Sequence, residues 1–342
     1  MLSPTSFLFA IVYFVNSLSS VLGRRYPCDD LLVRKEWRNM FPNEKQDYIK
    51  AVKCMQTNPA VNPVYPEAKT RFDEFQAHYM KHTDNVLNLG QFLPWHRHFI
   101  RTYEKALRTE CGYQGANPYW NWSQDADTNK SISAAPVFDP VNGFGGDGVP
   151  GTYNLPSTKL SDNKIIPSTF RGCVRNGPFA NYTLNLGPGK LATRHCLTRG
   201  ITNSGRKYLN STSVAAITKV ATYDAFRAQL EGQAGTSNVK MFEAGQGAVG
   251  GEMGNAYSSP GGKYFTNPLF YLHLANVDRI WWNWQQLVPG SRFFEISGPA
   301  SRVPPVHAVG VDYVLDMGSL GLSVPIRDTL DLWSKPNCYT YL

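Results

Sequence analysis

Two segments most constrain what this chain of 342 residues can fold into. In the first, Pro94 stands at a first-turn position where its missing N–H costs nothing, and a helix is predicted from His96 to Glu110, ending near Gly112. In the second, Asn267-Pro268 caps a helix running from Leu269 to about Leu287. Asn43 caps a further helix from Glu44 to Cys54, and Thr70 to about Val86 forms another, with Phe72, Phe75 and Tyr79 on one stripe. Tyr223 to Glu231 is a short helix ended by Gly232. Residues 123–215 are rich in Gly, Pro, Ser, Thr and Asn without a sustained period, so they read as long loops with a few short strands. The tail beyond Pro289 reads as mostly loop. The expected fold class is therefore mainly α, a helical core with long loop excursions.

Hydrophobic residues make up 42% of the chain and charged residues 18%, which excludes an intrinsically disordered protein. The 29 glycines and 23 prolines show no repeat, which excludes collagen and points to ordered loops. The net charge of +8 is scattered, with no Lys/Arg block longer than Arg24-Arg25. A diffuse positive surface attracts anions weakly and makes no nucleic-acid reading head.

Residues 1–23 read as a signal peptide: an apolar core, Phe7 to Val15, is followed by Ser17, Ser19, Ser20 and Gly23. The run is too short to span a bilayer, so no membrane association is expected once it is removed. Residues 24–342 then form a single domain. The cysteines fit a secreted protein: Cys28, Cys54, Cys111, Cys173, Cys196 and Cys338 are even in number and lack a C-x-x-C pair. Up to three disulfides are expected, in any of fifteen connectivities. Sequons begin at Asn121, Asn129, Asn181 and Asn210, the first inside an aromatic run expected to be buried.

The string Phe92-Leu-Pro-Trp-His-Arg-His-Phe99 and the string from Asn267 to Trp282 resemble the two copper-binding signatures of the tyrosinase and catechol oxidase family. Short secreted fungal members look most similar. Further similar stretches include Arg34 to Arg38, Tyr103 to Gly112, Pro118 to Ser123, Gly177 to Thr183 and Gly250 to Met253. The resemblance implies a four-helix bundle around a central site holding two coppers, each on three neutral imidazoles. This chain has only seven histidines: His78, His82, His96, His98, His195, His273 and His307. Matched to the family pattern, the first copper's ligand places hold Tyr79, Leu87 and His96. Those of the second hold Phe242, Gln246 and Leu274, and Glu243 follows the first of these. One imidazole of six is retained. No histidine lies between His195 and His273, so no local realignment restores the second copper.

The resemblance therefore separates from the usual chemistry. The favoured expectation is a copper-free pocket, with no cofactor, lined by Tyr79, Leu87, Phe242 and Leu274. In it His96, Glu243 and Gln246 would perform acid–base work on a small phenolic or aromatic metabolite. A non-redox cyclisation, dehydration or isomerisation in metabolite biosynthesis fits such a site. The other readings are a packed non-catalytic relic, a secreted binding protein, and a copper-dependent phenol oxidase. A single metal held by His78, His82 and His96 is a variant of the last, because the first two stand four apart on a helix.

Overall fold

The computed structural model describes residues 27–154, 170–187, 192–232, 240–253 and 267–342; the expected signal peptide lies outside them. Ten helices and nine short strands appear among the described residues. The helices are α1 (Pro42–Met55), α2 (Arg71–His82), α3 (Phe92–Cys111), α4 (Trp122–Ala126), α5 (Arg206–Leu209), α6 (Ser211–Thr218), α7 (Tyr223–Glu231), α8 (Met241–Val249), α9 (Phe270–Leu287) and α10 (Pro289–Arg292). The mainly α expectation holds, with α2, α3, α8 and α9 around the centre.

Local chemistry explains most of the boundaries. In α2 the Thr70 hydroxyl accepts from the Asp73 amide at 3.1 Å, and the Asp73 carboxylate accepts from the Thr70 amide at 3.0 Å. This places Phe72, Phe75 and Tyr79 on the buried side. The helix stops at His82, four residues short of the expected end, in a 3-10 turn over Thr83–Asn85. Helix α1 starts at Pro42, ahead of the expected cap Asn43, because Glu44 reaches back to accept from the Phe41 amide at 2.8 Å. The Asn267 side chain caps the entry to α9 by accepting from the Leu269 amide at 3.1 Å. Gly112 ends α3 at φ 68°, a conformation glycine adopts without strain. The supposed loop region contains α4, α5 and α6 besides its strands, which corrects the expectation. There a short signal was hidden in a Ser/Thr string: Asn210 accepts from the Ser213 amide at 2.8 Å and starts α6.

The bundle is sealed by aromatic packing and one buried ionic hub. The rings of Tyr103 on α3 and Tyr271 on α9 stack at 3.5 Å and 5°. On α9, Asp278 accepts from Arg97 Nε at 2.5 Å, Tyr339 Oη at 2.5 Å and Tyr341 Oη at 2.6 Å. Arg34 lies 3.4 Å from the same carboxylate and forks onto Glu104 at 3.1 and 3.2 Å. These groups are almost fully buried apart from Tyr341, which is half-buried. The hub thereby ties strand β1 (Leu32–Arg34), α3, α9 and strand β9 (Tyr339–Tyr341), and the two strands pair in parallel. All six cysteines are paired: Cys28–Cys338, Cys54–Cys111 and Cys173–Cys196. None of the described helices is long and apolar enough to cross a membrane.

Candidate active site

The bundle brings Tyr79, His96 and Phe242 into contact, with the Glu243 carboxyl near Tyr79. Tyr79 comes from α2, His96 from α3, Phe242, Glu243 and Gln246 from α8, and Leu274 from α9; Leu87 belongs to the link between α2 and α3. All seven are buried, Leu87 being the most exposed at 8%. Aromatic contacts involve three of them: Phe242 lies 5.6 Å from the His96 ring and 5.0 Å from Phe92, and Phe270 lies 5.0 Å from Tyr79.

One hydrogen-bond chain defines the chemistry. His96 Nδ1 lies 2.7 Å from the Phe92 carbonyl, one turn back on its own helix. A carbonyl can only accept, so Nδ1 carries the proton and Nε2 is a bare acceptor. The Tyr79 hydroxyl lies 2.6 Å from that Nε2 and donates to it. Burial pushes the His96 pKa down to about 3, so the ring is neutral throughout the physiological range. Burial holds the Tyr79 pKa well above its usual value, and the Glu231 and Glu243 carboxyls nearby push it the same way.

The second half of the site is closed by different means. His273 is fully buried; its Nδ1 receives the Trp122 indole N–H at 3.2 Å, and burial lowers its pKa to about 3. Gly245 lets α8 approach this ring, since a Cβ there would stand 2.5 Å from His273 Cε1. Gln246, 2% exposed, keeps its Nε2 donor without a protein partner among the described residues.

This donor set does not fit a copper pair. Leu87, Phe242 and Leu274 supply no ligating atom, and the His96 nitrogen that would face a metal is occupied by Tyr79. The single-metal variant is not assembled either. His78 and His82 stack on each other at 4.2 Å, while His96 bonds Tyr79. Among the described residues no group of three or more His, Cys, Asp or Glu is placed to hold a metal ion.

Sequence reading missed Glu231. It is 2% exposed and accepts from Arg227 Nη1 at 2.8 Å and from the Asn88 amide. Burial outweighs the Arg227 charge and pushes its carboxyl up to about 8, with Glu243 adding to the rise. Its only sequence signal is the four-residue spacing from Arg227, which is the ordinary mark of a solvated helix face.

The comparisons agree with this architecture. The family model described as the common central domain of tyrosinase matches residues 69–287. The chain is 34% identical to the tyrosinase-like protein phomQ1 of Diaporthe leptostromiformis, over 92% of this chain and 78% of that one. It is 33% identical to the tyrosinase-like protein orsC of Emericella nidulans, over 79% of this chain and 78% of that one. A polyphenol oxidase structure from Thermothelomyces thermophila superposes with a TM-score of 0.76 at 30% identity, covering 96% of this chain and 93% of the other. The chain belongs to the tyrosinase family.

Proposed function

We propose that this chain is a secreted tyrosinase-family protein that works without copper, as a proton-transfer enzyme on a small phenolic or aromatic metabolite in a biosynthetic pathway. The observation that carries the reading is the 2.6 Å hydrogen bond from Tyr79 to His96 Nε2, which turns a metal-facing nitrogen into one member of a proton-sharing dyad. In this reading a substrate carbonyl takes the Gln246 amide donor, which has no partner among the described residues. His96 Nε2 accepts the substrate proton as the Tyr79 hydroxyl gives way, and Glu243 serves as the second acid–base group. A base whose pKa lies near 3 is weak. It therefore suits a substrate whose proton is already acidified by flanking carbonyl groups, as in a polyketide-like β-dicarbonyl. Cyclisation, dehydration and isomerisation of such a compound leave oxidation states unchanged and need no dioxygen.

The experiment is elemental analysis of protein produced with copper present, followed by turnover assays on phenolic and polyketide-like compounds with and without chelator. Chelator-resistant conversion that His96→Ala abolishes is the expected result. Two coppers per chain with a peroxide-bridged absorption band in air would establish the oxidase instead. A second reading, a non-catalytic or ligand-binding relic, is favoured by the burial of Leu87, Phe242 and Leu274. Binding without conversion across the same compounds would select it.

A further inference from the structure

The far side of α3 turns away from the Tyr79–His96 pair. His98 follows His96 by two residues, which turns its side chain by about 200° around the helix and away from the Tyr79 dyad. There a cleft of about 260 Å³ opens between α3 and the chain after Gly318, with His98, Arg101 and Lys105 on one wall and Leu320, Leu322 and Val324 on the other. His98 is 5% exposed, and its Nε2 lies 2.7 Å from the Leu322 carbonyl. The carbonyl only accepts, so Nε2 carries the proton and Nδ1 is an acceptor. That Nδ1 is buried and has no partner among the described residues.

The charges of the cleft are unbalanced. Arg101 Nε donates to the Pro336 carbonyl at 3.1 Å, and its one ion-pair contact among the described residues is a long 3.4 Å to Glu104. Glu104 is already engaged by the Arg34 fork and by the Asn117 amide. The burial of Arg101 is thus incompletely compensated: its pKa is lowered by burial, and the Arg34 and Arg108 charges act in the same direction. Lys105, four residues on, is exposed and has no acidic partner among the described residues. The one carboxylate at the rim, Glu110, is neutralised by Arg71 at 3.0 Å.

We propose that this cleft binds a small aromatic carboxylate: Arg101 and Lys105 take the carboxylate and the Leu320–Val324 wall takes the ring. The volume admits a ligand of roughly ten heavy atoms. The test is calorimetric titration of the full chain with para-hydroxybenzoate, using para-hydroxybenzamide as the uncharged analogue. Saturable one-to-one binding of the acid is expected. It should weaken about tenfold for the amide, for Lys105→Glu and for Leu322→Glu. Lys105 and Leu322 are exposed, so both variants should keep the wild-type melting temperature. Equal affinity for acid and amide, or indifference to both variants, would overturn the proposal. Binding lost in His96→Ala but kept in Lys105→Glu would place the ligand in the central site, refuting this cleft while supporting the dyad as a binding centre.

Discussion

Replacing Tyr79 by Phe removes a single oxygen from the centre of the bundle and leaves the ring contacts with Phe270 and Trp95 in place. The imidazole cannot follow the loss, because its Nδ1 is held by the Phe92 carbonyl. His96 Nε2 is then a buried acceptor without its Tyr79 donor, a defect of about 1–3 kcal/mol. For a domain of this size that corresponds to a fall in melting temperature of roughly 1.5–5 °C. The assay is guanidinium denaturation with the disulfides intact, at several pH values. The His96 pKa is depressed from 6.5 to about 3, so its contribution to stability is lost only as pH falls through that window. From pH 7 to 9 both partners stay neutral, and the difference between wild type and Tyr79→Phe should be constant. A difference below about 0.5 kcal/mol, the level of a surface substitution, would refute the hydrogen bond. A difference that changes between pH 7 and 9 would show that one partner is charged, which would refute the neutral dyad.

Three further outcomes are expected. The Glu231 carboxyl, raised from 4.5 to about 8, binds its proton more tightly in the folded state, so stability should fall as pH rises between those values; Glu231→Gln should flatten that part of a melting-temperature profile. Removing the Cys54–Cys111 bridge, with a sequence separation of 57, should destabilise the chain by about 4 kcal/mol in denaturant titrations. Asp278→Ala removes the carboxylate partner of the buried Arg97 and leaves Arg34 to Glu104, a defect of about 3–5 kcal/mol that should appear as a collapse in the yield of folded protein.

The elements that the sequence revealed are those whose signals are local. Thr70 with Asp73, Asn267 before Leu269, and Gly112 after α3 each state a boundary within a few residues, and the structure places all three as boundaries. The meeting of Tyr79, His96 and Phe242 was legible through the resemblance, because matched signature strings carry spatial information that periodicity lacks. What stayed hidden depends on distant partners. Nothing near Asp278 announces that Arg34 and Tyr341 will converge on it from the two ends of the described chain. Nothing near Glu231 announces that it will be buried against Asn88. The direct bond between Tyr79 and His96 was equally invisible, since it depends on how closely α2 and α3 approach.

The bond from His96 to its own helix carries an evolutionary implication. Because the ring is aimed by the backbone four residues earlier, its free nitrogen points to the same spot whatever side chain occupies position 79. Substitution at that neighbour can swap the partner, from ligand to phenol to substrate, without re-orienting the imidazole. A lineage could therefore abandon one chemistry and explore another by changing what stands opposite a fixed pointer, with the scaffold's geometry carried along intact.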